Sequence, residues 1–321
     1  MRLSSAVLCL TAAVSATASF TCISMAQPAA SPGAATAAAQ PAAATGTGIL
    51  LKSDLPSGRE LRYTIVQDQT ATMVYIPNTD LAPTQRTVHQ EVGVVLKVTA
   101  VTPEASTVEM RFESYKMRLD ASGEAFEVDM AQPEPSGSVP ARLNTYKAVK
   151  PLMSAVMKLT VSPTGLLLKA EGGEELMKAG APRMTRRFIE EDGIRFLVGP
   201  LLALRPDGAP SQVDSTWTLD EVILADRGRE KMVETRKLAK IDGAIASVVG
   251  QVRKDGPKGN MAPGSVFLKG VDIDTRYTFD TSLKAATGFT RDDSITLVSL
   301  LPDSSREERG TVTHTVVTLK K

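Results

Sequence analysis

The chain is poor in the residues that do chemistry. Its 321 residues include two cysteines, two histidines and one tryptophan, and aromatics make up 4%. Both cysteines, Cys9 and Cys22, lie close to the N-terminus, ahead of the cleavage point argued below. A chain cut there holds no thiol, so disulfides, thiolate metal sites and cysteine nucleophiles are excluded from it. The metal-binding pattern H-E-x-x-H is missing, and so is the G-x-S-x-G elbow of a serine hydrolase. Gly172-Gly173 follows an expected strand but lacks the further glycines and the lysine of a phosphate-binding loop. No cofactor and no metal are implied. An excess of one charge is missing too. Arg2 is the only charged residue before Lys52, so the body carries 36 of the 37 Lys and Arg against all 36 Asp and Glu. A nucleic-acid binder needs a basic excess and a binder of anionic membranes a polybasic run, and the chain has neither. Scarce aromatics also argue against a sugar-binding cleft, although two distant carboxylates suffice for glycoside hydrolysis.

What is present begins with an export signal. Met1-Arg2 is a minimal positive start, Leu3 to Phe20 is small and apolar, and Ser24-Met25-Ala26 precedes Gln27. This predicts a signal peptide over 1–26 and export to the periplasm or cell envelope. The apolar core is short for a membrane span, and no later stretch is longer, so no integral segment is expected after cleavage. Lipid anchoring at Cys22 is the alternative, but Ser19 and Thr21 stand where such sites favour Leu and a Gly, Ala or Ser. Residues 27–48 carry no charge and no large apolar side chain, which predicts a disordered Ala/Pro-rich tether.

From Arg59 the apolar period becomes two. Strands are predicted over 59–67, 71–76, 87–98, 106–119 and 124–130. The clearest places Val88, Val92, Val94, Leu96 and Val98 on one face and His89, Glu91, Gly93 and Lys97 on the other. Leu143, Tyr146, Val149, Met153 and Val156 follow at helical spacing, with Pro151 as a kink. A hairpin is predicted over 158–161 and 166–170, then short helices over 173–204. Strands resume over 215–223, 229–241, 244–254, 277–281, 285–289, 294–301 and 311–319. Val98, Val101, Ala105 and Val108 echo Leu238, Ile241, Ala244 and Val248, a weak internal duplication. The expected fold is β-dominated α+β: a first antiparallel lobe over 49–140, a helical middle with a hairpin over 141–210, and a second lobe over 211–321, the lobes in half-barrel form as one option.

The order of several short motifs is also suggestive. They are Lys158 to Gly165 (KLTVSPTG), Glu171 to Glu175 (EGGEE), Leu204 to Gly208 (LRPDG), a Trp217-bearing strand and Tyr277 to Asp280 (YTFD). With the exported N-terminus they resemble a family of bacterial secreted proteins and lipoproteins catalogued only as a domain of unknown function. Two positions depart from that pattern: Asp214-Ser215-Thr216 precedes the Trp, and Thr281-Ser282-Leu283-Lys284 follows the last motif. The resemblance implies no activity.

Candidate site residues are correspondingly few. Met153, Met157, Met184 and Phe188 gather in the helical middle, either as core that plugs the lobes or as an adaptable surface for an apolar ligand. Arg183, Arg186 and Arg187 form the basic cluster, read as an anion site or as a helix face paired at i+4 with Glu190 and Glu191. His89 and His314 fall in different lobes and read as isolated strand histidines. Asp272, Asp274 and Asp280 lack the loop spacing of a calcium site. Three functions fit these residues: a non-catalytic envelope protein with a structural or interaction role, a periplasmic carrier of a lipid or other apolar ligand, and a hydrolase using dispersed carboxylates.

Overall fold

The computed structural model describes residues 48–76, 83–121, 124–136, 140–178, 185–225, 228–256, 264–301 and 305–320, without the side chains of 186 and 221–230. The chain divides into Met1–Thr45 and Gly46–Lys321, and all of these residues belong to the second unit. The expected signal peptide and nearly all of the tether lie outside the described residues.

In chain order the elements are β1 (Glu60–Ile76), β2 (Thr84–Val101), β3 (Ser106–Ala121), β4 (Glu124–Asp129), α1 (Pro140–Val149), a 3-10 turn (Lys150–Ser154), β5 (Val156–Val161) and β6 (Leu167–Glu171). Three short helices follow: α2 (Gly173–Lys178), α3 (Arg186–Ile189) and α4 (Glu191–Leu202). The chain ends in β7 (Thr216–Ala225), β8 (Gly228–Asp242), β9 (Ile245–Asp255), β10 (Val266–Asp280), β11 (Ala285–Leu300) and β12 (Arg306–Leu319). The fold is β-dominated α+β, as the alternation predicts. All twelve strands join one antiparallel sheet, in the order β6-β5-β3-β2-β1-β12-β11-β10-β9-β8-β7, with β4 also on β3. The two expected lobes are not separate: their strands form one continuous sheet, and β5 and β6, expected within the helical middle, extend its first half. The two halves meet where β1 pairs with β12, from Tyr63 opposite Leu319 to Ile76 opposite Arg306.

Local chemistry explains the departures from the sequence reading. Pro151 lacks an N–H, so α1 stops and a 3-10 turn begins with the proline in its first positions. Val156, expected on the helix, is therefore an exposed residue at the start of β5. An extra residue, Glu113, bulges from β3 opposite Gly93 and Val94. It switches the inward set from Val108, Met110 and Phe112 to Tyr115, Met117 and Leu119. The two long hairpins each carry a bulge near their turn, between Val98 and Ala100 in β2 and between Leu238 and Lys240 in β8.

Eleven strands in a flat row would hold their edges about 50 Å apart, at roughly 4.8 Å per strand. Yet α4, about 10 Å across, packs against β6 at one edge, β7 at the other and β11 in the middle. The sheet therefore curls around this helix, which sits in the seam between its edges. Ile194, Leu197, Val198, Leu201 and Leu202 of α4 are buried in the main core with Tyr63, Val94, Phe112 and Phe289. Arg195 of α4 donates to the carbonyls of Leu167 and Leu168, occupying acceptors that edge strand β6 would otherwise leave open. The segment before β1 locks the C-terminal end of α4. Ser53 donates from N to the Leu202 carbonyl and from Oγ to the Leu201 carbonyl, and Leu204 N donates to Leu51 O.

Two glycines of α4 separate packing from propensity. A Cβ on Gly193 would lie 2.5 Å from Arg187 Cα and from its carbonyl oxygen, whereas one on Gly199 would meet nothing within 4 Å. Gly193→Ala should thus cost about 1–3 kcal/mol in urea unfolding, through overpacking against α3. Gly199→Ala should be neutral or gain up to about 1 kcal/mol, because alanine loses less backbone entropy in a helix. Equal effects of the two substitutions would contradict the close approach of α3 and α4.

Candidate ligand-binding cavity

The inner face of the curled sheet is built in transverse rows set by strand register. One row is apolar: Val92, Ile65, Val317, Phe289, Tyr277, Val248 and Leu238 stand side by side. The next is polar across seven strands: Gln90, Gln67, Thr315, Arg291, Thr275, Gly250 and Arg236. This belt is buried along its whole length, with Thr315 wholly buried, Arg291 1% exposed and Arg236 2% exposed. Gln67 donates to Thr315 Oγ1 at 3.2 Å, and Gln90 to the Tyr115 hydroxyl at 3.2 Å. Burial holds the Tyr115 phenol far above its ordinary pKa, so it stays protonated. Gln90 Oε1 and Thr275 Oγ1 are buried with no hydrogen-bond partner among the described residues.

Two buried ion pairs anchor the belt. Arg236 donates from Nε to Glu234 Oε2 at 2.6 Å, from Nη1 to the Leu204 carbonyl at 3.1 Å and from Nη2 to the Tyr277 hydroxyl at 2.8 Å. The Tyr277 hydroxyl in turn donates to Glu234 Oε1 at 2.8 Å, and the Arg236 guanidinium lies 4.3 Å from the Tyr277 ring. Gly250 gives the carboxylate room, since a Cβ there would fall 2.1 Å from Glu234 Oε1. Trp217 Nε1 donates to the same Leu204 carbonyl at 3.0 Å. The Leu204–Gly208 turn, Trp217 and Tyr277 meet here, and a Cβ on Gly208 would fall 2.8 Å from Thr164 of the Lys158–Gly165 stretch. The second pair is Arg291 with Asp293, 2.7 Å apart and almost wholly buried, with the Arg291 guanidinium 3.7 Å from the Phe196 ring of α4.

The two sides of the belt differ in how well they are filled. On the helix-covered side, the space among Ile65, Val94, Met110, Phe112, Phe188 and Leu197 is only about 10 Å³. On the other side lies a cavity of about 460 Å³. Its floor is two further rows of the sheet, Ala121, Arg86, Ala71, Thr311 and Ile295, then Thr84, Met73, Arg309 and Leu297. Exposed Thr84, Gln85 and Arg86 mark its rim, and Arg187 lines it from α3. The described lining includes three arginines and no carboxylate. Arg309 is paired with Glu307. A second cleft of about 370 Å³ lies in the seam, between Leu166 and Leu167 on one edge, Leu219 and Asp220 on the other, and Phe196, Gly199 and Pro200 of α4. Its two arginines are engaged, Arg195 with Glu191 and the β6 carbonyls, Arg236 with Glu234, Tyr277 and Leu204.

The candidate residues from the sequence divide accordingly. Met157 and Phe188 are buried in the filled core and Met153 packs against it, so these are plugs and do not line either large space. Met184 and Arg183 lie outside the described residues, and Arg186 is placed only as the first residue of α3. The i+4 pairing expected for Arg187 does not form, because α3 ends at Ile189 and Glu191, the first residue of α4, pairs with Arg195 instead. His89 and His314 come from different halves but share one outer row, since β1 between them puts Asp68 opposite both. His89 bonds Asp68 at 2.7 Å and His314 bonds Asp292 at 2.6 Å, all four exposed. Asp272 and Asp274 pair with Arg253, and Asp280 caps its own turn through Ser282 and Leu283. Among the described residues no cluster of His, Cys, Asp or Glu is arranged to hold a metal ion. No described helix is long and apolar enough to cross a membrane.

No protein-family model matches the chain, and no curated protein does. Among solved structures it is similar to lipovitellin, in a structure concerned with lipid–protein interactions, at 9% identity and a TM-score of 0.49. That match covers 84% of this chain and 26% of the lipovitellin chain, so the chain spans about a quarter of that protein's length. It is also similar to an outer membrane channel from Pseudomonas putida F1, at 11% identity and a TM-score of 0.23, over 84% of this chain and 98% of the channel. Similarity at these scores carries no functional argument.

The Glu234–Arg236 pair yields a direct test of the belt's energetics. Arg236→Met leaves the Glu234 carboxylate buried without its cation and should cost about 3–5 kcal/mol of stability. The double variant Glu234→Leu with Arg236→Met removes both charges and should recover most of that loss, as read from denaturant midpoints. A double variant no better than the single one would show that the Leu204 and Tyr277 contacts, not charge compensation, dominate.

Proposed function

We propose that the chain is an exported, non-catalytic carrier that holds an apolar or amphipathic molecule in the cavity beyond the polar belt. The observation that carries this reading is the contrast in packing. The apolar end of the inner face is filled, whereas the cavity of about 460 Å³ has a size usual for ligand pockets and a mixed lining of Met73, Ile295 and Leu297 with threonines and arginines. The seam cleft serves closure, because its arginines already hold strand carbonyls and carboxylates. A hydrolytic role is less well supported. Glu234, Asp293 and Glu307, the carboxylates buried on the inner face among the described residues, are each bound to an arginine two residues along the same strand and are not free to shuttle protons. The resemblance to secreted proteins and lipoproteins belongs to the same reading, with export through the N-terminal signal.

Fluorescence of the neutral apolar probe N-phenyl-1-naphthylamine tests the proposal. Titration of the full chain should enhance its emission with saturation. Leu297→Trp, which fills the cavity, should weaken binding about tenfold or more, a loss of about 1.4 kcal/mol. Leu166→Trp, in the seam cleft, should leave binding unchanged. No enhancement with the unmodified protein would sink the carrier reading and leave a structural or interaction role in the envelope.

A further inference from the structure

Arg187 stands apart from the other inward-facing arginines. Arg236 and Arg291 are held by carboxylates, and Arg309 is held by Glu307. The Nη1 of Arg187 is buried and has no hydrogen-bond partner among the described residues. Its neighbours are the Phe196 ring, 5.9 Å from the guanidinium, and the charges of Asp293 and Arg291. Asp293 is already committed to Arg291 at 2.7 Å, so it offsets only part of the positive charge. Burial, reinforced by Arg291, pulls the Arg187 pKa below its ordinary value and Asp293 pulls it back up; arginine nevertheless stays protonated in proteins. A buried donor left unmet costs free energy that the fold does not recover by itself. Arg187 lines the cavity at its helical side, while Ala71, Met73, Ile295 and Leu297 supply apolar floor.

Resting on the carrier reading above, we infer that the cavity selects a single-chain amphiphile with an oxyanion head, and that Arg187 is the residue that reads the head. The planar guanidinium offers paired donors that match a carboxylate or phosphate, and such charge-assisted bonds are stronger than those between neutral groups. The chain of the ligand then lies on the floor rows, with the rim arginine Arg86 adding attraction at the entrance. A neutral amphiphile of equal length would gain the apolar contacts and leave Nη1 unmet.

Competition against N-phenyl-1-naphthylamine reads this directly, with laurate, dodecyl phosphate and 1-dodecanol as competitors at pH 8. Laurate or dodecyl phosphate, or both, should displace the probe about tenfold or more better than dodecanol. Which of the two does so distinguishes a carboxylate from a phosphate head. Arg187→Met should abolish that preference, keep the affinity for dodecanol, and leave the unfolding midpoint unchanged or higher, since it removes an unmet buried charge. The preference should also shrink as salt is raised. Equal displacement by all three competitors, a preference that survives in Arg187→Met, or a strongly lowered midpoint in that variant would each overturn the assignment while leaving the carrier reading intact. Failure of every competitor, dodecanol included, to displace a bound probe would count against the carrier reading itself.

Discussion

Everything in this molecule depends on how a sheet with eleven strands in a row covers its own apolar face. A flat sheet of that width would need a layer of helices along its whole length, and the longest helix among the described residues, α4, has 12 residues. Curling solves the shortage. By wrapping around α4, the sheet uses one helix three times, against both of its edges and against its middle. The edges then pack on the helix, and Arg195 takes up the Leu167 and Leu168 carbonyl oxygens of β6 there. The segment at Leu51 and Ser53 fixes the end of α4, so the helix that sets the curvature is itself held by strand-like pairing.

Curling has a cost at the centre. An inner face wide enough to wrap around a helix is longer than the helix can cover, and the polar belt marks where coverage changes. Residues on the helix side of the belt are packed as tightly as a core should be. On the other side the strands continue, still in register and still inward: β8 to β11 carry a second buried cluster of Met232, Val252, Val271, Ile273 and Ile295, whereas β1, β2 and β12 turn alanine, threonine and arginine toward the cavity. The belt works as a partition: its ion pairs and amides keep the tightly packed core separate from the roomier end, and its two unmet oxygens show that this separation is polar by construction rather than a failure of packing.

Much of the architecture was legible in the alternation of apolar residues, and the places where the reading broke are informative. β1 reads as two strands because Gln67-Asp68-Gln69-Thr70 interrupts its apolar period, and β11 reads as two because Thr290-Arg291-Asp292-Asp293 does the same. The first half of β10 carries the same signal, since Val271, Ile273 and Thr275 alternate with Asp272, Asp274 and Arg276, yet the expected strand starts only at Tyr277. The two interruptions, in distant parts of the chain, are one feature in space, the belt and the rows beside it. A single sequence has no signal that aligns them, since register between β1, β12, β11 and β10 is a tertiary fact. The same holds for Arg187. Its place in a basic cluster is visible in the sequence, but i+4 pairing with Glu191 requires a helix that runs past Ile189, and α3 ends there. Met153 and Met157 show the opposite case: their helical spacing reads as core, and they pack in or against it.

The pairing of β1 with β12 has a consequence in time. Tyr63 and Leu319 are neighbours in the sheet but lie far apart along the chain. Among the described strands β12 is the one that pairs with both β1 and β11, so the two halves of the sheet join only once β12 is available. Local hairpins such as β2–β3 and β8–β9 form early, because their partners are adjacent in sequence, whereas the central joint closes the longest loop in the molecule and comes late. Until then each half exposes one unpaired strand edge and part of its apolar face. A truncation that removes β12 therefore does more than shorten the protein: it leaves two sticky half-sheets whose nearest substitute partner is another copy of themselves.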